Sequence, residues 1–318
     1  MLTTGIDTSG TLVGSKGTTS TDGNDTFNAV VDNTTATGVN NQTWTGLDNL
    51  DGGKGNDTIN FNDLTATTAV LNLTTGTIKN IETMNVKTVG DLTLNTTTVE
   101  GLETLNTTKT LFAKLTAATT TDVNVSGASG VITVDGGKNI SVTDATVNKD
   151  ITIGAGTKNA GTITVTDTKQ GNGEVKIQGG TDVTVTTTGS VKTGGLGTTA
   201  DITIGGATVA EQASGAVIVN ATGAAYAAGT ASTMGNISVT GGKTISVTQK
   251  ATSDASKAAA DESAKDMTQG KVTIVAGATT TDVTVKQDAD VAAKDAANST
   301  GGATETVSVK FIKADAGQ

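Results

Sequence analysis

Apolar residues recur in pairs along most of this 318-residue chain, and their spacing constrains the fold more than any other feature. One series runs Leu73, Leu94, Leu115, Ile132, Ile151, Val175, Ile202, Ile237 and Val272. A second runs Ile81, Leu102, Val123, Ile140, Ile163, Val183, Val217, Ile245 and Val283. In six of these nine units the step from first to second is identical, as from Leu73 to Ile81, Leu94 to Leu102 and Ile237 to Ile245. Around the anchors apolar side chains alternate with Thr, Ser, Lys or Asn, as in Ile163-Thr164-Val165-Thr166, so one face of a short strand points inward and the other toward water. Three units carry a Gly-Gly pair between their strands, at Gly136-Gly137, Gly179-Gly180 and Gly241-Gly242. Such a pair can close an antiparallel hairpin. Units of near-constant length favour a parallel coil, because they pair in register when stacked. The expected fold is all-β, an elongated parallel β-solenoid of β-helix or β-roll type, with about two short strands per coil of roughly 20 residues.

Composition agrees with a thin core. Thr outnumbers even the 41 glycines, and aromatic residues make up 2% of the chain, too few to fill a thick interior. The connection from a second anchor to the next first anchor is short from Ile81 to Leu94 and lengthens steadily from Val183 onward, being longest from Ile245 to Val272. Insertions therefore gather at one corner, near residues 221–232, 251–269 and 288–297. The middle one reads either as a short helix capped by Ser253 or Asp254 or as a solvated loop. Such protrusions are expected to form a lateral contact surface. The expected organisation is a calcium-binding segment over 1–64 followed by a repeat region over 65–318.

That first segment holds the most specific motif. Gly52-Gly53-Lys54-Gly55-Asn56-Asp57-Thr58-Ile59-Asn60 matches the nonapeptide G-G-x-G-x-D-x-U-x at every fixed position. Its glycines permit tight turns that direct carbonyl oxygens inward, and Asp57 adds a carboxylate, giving the all-oxygen shell of a hard cation such as Ca2+. Ile59 is expected to plug the core beneath. A degraded copy, Gly23-Asn24-Asp25-Thr26-Phe27-Asn28, lies upstream. Trp44, the single tryptophan, reads as a capping core residue.

Several segments together resemble bacterial surface-layer proteins and large RTX-type adhesins exported by type I secretion. They are Thr3-Thr4-Gly5-Ile6-Asp7-Thr8, Gly23 to Ala29, Leu47-Asp48-Asn49-Leu50-Asp51-Gly52-Gly53, Gly55 to Ile59, and Ile78 to Val86. The resemblance implies a secreted, calcium-stabilised β-solenoid that assembles with its own copies into a lattice on the cell surface. It also implies an uncleaved C-terminal export signal and a contact with cell-surface polysaccharide. The ligand candidates it implies are Asp22, Asp25, Asp48, Asp51 and Asp57, with the carbonyls of Gly52, Gly53 and Gly55. The alternative within the same resemblance is an adhesin or biofilm-matrix segment that binds another surface.

Charge and residue usage narrow the other classes. A net charge of −10 and an isoelectric point near 4.5 disfavour nucleic acid and acidic membranes. No stretch approaches the roughly 20 apolar residues of a membrane helix, so no membrane insertion is expected. The opening Met1-Leu2-Thr3-Thr4-Gly5 lacks the basic-then-apolar order of a secretion signal. An enzyme is not expected, because without His, Arg or Cys acid–base work would fall to carboxylates, Lys or Tyr226. Thr-x-Thr pairs such as Thr184-Val185-Thr186 would suit an ice-binding face, but Lys176 interrupts the array.

Overall fold

The computed structural model describes residues 20–31, 43–44, 48–63, 69–70, 77–190, 200–223, 232–252 and 267–290. It divides into two compact units, one ending at Ser141 and the other beginning at Val142. Both are parallel β-solenoid, as the repeat predicts. The first unit comprises β1 (Thr26–Val30), β2 (Asn49–Asp51), β3 (Thr58–Asp63), β4 (Ala69–Val70), β5 (Thr77–Lys79), β6 (Thr83–Thr88), β7 (Leu92–Asn95), β8 (Thr104–Thr108), β9 (Ala113–Ala117), β10 (Asp122–Ser126) and β11 (Ile132–Gly136). One sheet runs β1-β3-β6-β8-β10, the other β4-β7-β9-β11, and β2 pairs with β5. The strand β12 (Ile140–Asp144) falls at the division.

The second unit repeats the plan with β13 (Ile151–Ile153), β14 (Ile163–Asp167), β15 (Val175–Ile177), β16 (Val183–Ser190), β17 (Ile202–Ile204), β18 (Ala216–Gly223), β19 (Ser232–Thr233), β20 (Ile237–Thr240), β21 (Thr244–Thr252), β22 (Met267–Thr268), β23 (Val272–Val275) and β24 (Asp282–Asp290). Its sheets run β14-β16-β18-β21-β24 and β13-β15-β17-β20-β23. A 3-10 turn at Val209–Glu211 is the one helical element among the described residues. No helix among them is long and apolar enough to cross a membrane.

Register follows the apolar anchors closely in the second unit. Ile151, Val175, Ile202, Ile237 and Val272 are successive cross-strand partners, as are Ile163, Val183, Val217, Ile245 and Val283. In the first unit two anchors sit differently. Leu115 pairs with Val134, leaving Ile132 beside Ala113, and Val123 pairs with Leu105 instead of standing over Leu102. Ile81 and Leu102 are buried just before β6 and β8. The coil that ends at Val123 is shorter than the one before it, and the strand slides so that apolar side chains still meet. The anchor Leu73 and residues 224–231, 253–266 and 291–297 of the insertions lie outside the described residues. Their flanks do not: Ala221 continues β18's buried alternation, which ends at Gly223, and Ser232 pairs with Met267 where two insertions rejoin the coil.

The Gly-Gly pairs turn the chain between the two sheets. All six of their glycines have φ between 73° and 101°, a region that costs a residue with a Cβ about 1–2 kcal/mol. Inside, each strand buries its alternate residues. β14 places Ile163, Val165 and Asp167 inward with Thr164 and Thr166 outward. Trp44 is buried and meets Phe61 edge-on, with ring centroids 5.3 Å apart.

The outer face of the first unit carries a feature that strand alternation alone does not announce. Asn28, Asn60, Asn85, Asn106 and Asn124 stand in one cross-strand row. From Asn60 onward each amide Nδ2 donates to the Oδ1 of the asparagine one coil before, at 2.8–2.9 Å. Only an in-register parallel stack offers this continuous ladder. Asn85→Asp removes the donor to Asn60 and puts a charge between two amides. It is expected to cost about 1–2 kcal/mol in urea melts at pH 8, and less at pH 4, where the protonated carboxyl donates again.

Candidate functional site

Two glycine-containing turns stack at the start of the first unit. The offset that aligns Asp25 with Asp57 in sequence is the register of the strands that follow, with Thr26 beside Thr58, Phe27 beside Ile59 and Asn28 beside Asn60. Phe27 and Ile59 plug the core, both at most 2% exposed. The turns are tied by Asn56 N–H donating to Asn24 Oδ1 (2.9 Å) and Thr58 N–H donating to the Asp25 carbonyl (2.9 Å).

Asp57 is the centre of this arrangement. Its side chain is fully buried. Oδ1 accepts the Asp25 N–H at 2.7 Å, while Oδ2 is buried with no hydrogen-bond partner. Burial pushes its carboxyl up from the usual range, and the nearby carboxylates of Glu82, Asp25 and Asp51 push in the same direction against the Asp25 N–H. Glu82 Oε2 accepts the Asp57 N–H at 2.6 Å, which brings that carboxylate to the site.

The glycines are demanded by close approach. A Cβ on Gly52 would lie 1.9 Å from the Asn80 carbonyl oxygen and 2.3 Å from Asp57 Oδ2. Gly53 and Gly55 are pressed by the neighbouring coil, their Cβ positions 2.8 Å from the Thr21 carbonyl and 2.6 Å from the Gly23 carbonyl. This packing explains G-G-x-G without any ion. Asp57 Oδ2 is the part it leaves unexplained.

The other candidates divide. Asp25 accepts from the N–H and Oγ1 of Thr21. Asp51 accepts from Gly53 N–H (3.1 Å) and Asn80 Nδ2 (2.7 Å) and pairs with Lys79 Nζ at 2.9 Å. Lys79 first, and then Asn80, hold its carboxyl below the usual range. Asp22 pairs with Lys54 (2.8 Å) at the exposed surface. Asp48 is buried, and its carbonyl accepts the Thr77 N–H at 3.0 Å. Among the described residues no group of three or more acidic side chains is arranged to hold a metal. An ion here would rest on Asp57 Oδ2, on Asp25 or Glu82, and on backbone carbonyls. Three participants escaped the motif: Glu82, Lys79 and Asn80. Glu82-Thr83 recurs as Glu103-Thr104, so it stood in the sequence as a repeat feature without its charge being connected to Asp57.

No protein-family model matches the chain, and comparison with curated proteins finds no similar sequence. The functional reading therefore rests on these residues alone.

Proposed function

We propose that the protein is a structural component of the bacterial cell surface, exported, stabilised by calcium and self-assembling into a layer. The observation that carries the reading is the buried Asp57 oxygen, unpartnered between two stacked glycine turns, with the Glu82 and Asp25 carboxylates near enough to push its own carboxyl up. Calcium would neutralise the Asp57 carboxylate, and its binding energy would be available to hold the first coils folded. Registered coils with a ladder of asparagines on the outer face supply a stiff, repetitive body, the property a lattice subunit needs.

The test compares the wild type with Asp57→Asn, which keeps the shape and removes the charge. Calcium is expected to slow amide hydrogen exchange over residues 51–63 by about a hundredfold in the wild type, as binding at 100 times Kd stabilises by about 2.7 kcal/mol. It is also expected to produce sheets or filaments in negative-stain images. Asp57→Asn should lose the local protection and the assembly. Protection without assembly would favour the adhesin segment. If calcium left this region unprotected in the wild type, the ligand assignment would fail.

A further inference from the structure

Four buried oxygens at one corner of the second unit have no hydrogen-bond partner. They are Asp144 Oδ2, Asp167 Oδ2, Thr187 Oγ1 and Gln170 Oε1, and each residue is at most 1% exposed. Asp167 and Thr187 are cross-strand partners in the inward-facing rows of β14 and β16. Thr168 N–H donates to the Asp144 carbonyl (3.0 Å), which sets Asp144 beside Asp167 on the preceding coil. Gln170 lies in the turn that follows Asp167, its Nε2 donating to the carbonyls of Gly173 and Ala200 at 3.0 Å each.

Both carboxylates are fixed through their other oxygen. Asp144 Oδ1 accepts the N–H groups of Ala145 (2.7 Å) and Thr146 (3.0 Å), and Asp167 Oδ1 accepts that of Lys169 (2.9 Å). No lysine forms an ion pair with either among the described residues. Two adjacent buried carboxylates that each keep one oxygen unpartnered, together with an unpartnered hydroxyl and amide oxygen, make a costly arrangement by themselves. It is a favourable one around a hard cation, which takes carboxylate and neutral oxygen ligands together and balances two negative charges with one divalent ion.

We propose that Asp144, Asp167, Thr187 and Gln170 form an internal binding site for a divalent cation of the calcium class, separate from the N-terminal turns. The ion would clamp three successive coils of the second unit.

The experiment uses the full chain carrying Asp57→Asn, so that the N-terminal turns do not contribute. Calcium is titrated into EDTA-stripped, dialysed protein at pH 8, followed by calorimetry and by melting. One ion per chain and a rise in melting temperature are expected. Adding Asp144→Asn and Asp167→Asn should abolish both, and Thr187→Val should weaken binding about tenfold. The proposal is overturned if the Asp57→Asn chain binds no calcium, if its melting depends on pH but not on calcium, or if the paired substitution leaves binding unchanged. Should the paired variant fail to fold, Thr187→Val decides, because unchanged affinity there also overturns the site.

Discussion

In the absence of divalent ions, raising the pH from 4 to 8 is expected to destabilise the protein, and Asp167→Asn is expected to remove most of that loss. Burial pushes the Asp167 carboxyl up to about 7 from an ordinary 3.8, with the Asp144 carboxylate adding to the effect. Below pH 3.8 both folded and unfolded chains hold the proton, and the contribution to stability is complete. Between 3.8 and 7 the unfolded chain gives up its proton first, so stability falls by about 1.4 kcal/mol per pH unit until the folded carboxyl ionises as well. The whole effect is bounded at about 4 kcal/mol. Asp144 and Asp57 are raised too, and act in the same direction. Asp51 is lowered and acts oppositely, but its ion pair with Lys79 is partly exposed and solvent-screened, so it is the smaller influence. Urea melts at pH 4.5, 6 and 8 in EDTA check the expectation. The asparagine variant should be more stable than the wild type at pH 8. A wild type whose stability is flat or rising over this range would show that Asp167 is not held as the structure places it.

The parallel coil was legible because two constraints in the sequence agree. Apolar alternation fixes which side of each strand is inward, and near-constant unit length fixes which strand lies beside it. Length changes between Leu105 and Val123, whose coil is shorter than those that set Met84 beside Ile59 and Leu105 beside Met84, and there counting along the chain misplaces the neighbour by a few positions. The physical rule that survives is the matching of apolar faces. In the second unit connections of very different length still leave Val183, Val217, Ile245 and Val283 as cross-strand partners, and the one register shift between β16 and β18 falls past the apolar positions, between Thr188 and Ser190.

The candidate sites were less legible, for a reason that applies to each. A motif reports residues close in sequence, whereas the charges that decide a buried carboxylate's state come from other coils. Asp57 was visible through G-G-x-G-x-D, but Glu82, from the next coil, and Lys79, which occupies Asp51, are brought in by stacking. Asp144 and Asp167 each close a strand with Thr-Asp, an unremarkable ending. Only the fold shows that these two endings are adjacent, inward and, among the described residues, without a paired lysine.

Leu105→Ala is expected to destabilise the first unit by about 3–4 kcal/mol, against about 1 kcal/mol for Asn106→Ala next to it. Leu105 is fully buried, with Met84 and Val123 as its cross-strand partners. The coils on either side are held by ladder hydrogen bonds and by the asparagine row, so the cavity left by the truncated side chain cannot close by collapse. Asn106 faces outward and loses two amide contacts, to Asn85 and from Asn124, both partly replaceable by water. Stability in a solenoid is carried between nearest neighbours, so the damage should be local. Amide exchange in β6, β8 and β10 is expected to accelerate by about a hundredfold or more with Leu105→Ala and by about fivefold with Asn106→Ala, while strands β20 and β23 change little. If Asn106→Ala were the more damaging of the two, the asparagine row rather than the apolar interior would be what holds these coils together. The thin, aromatic-poor core would then be secondary to the hydrogen-bonded surface wrapped around it.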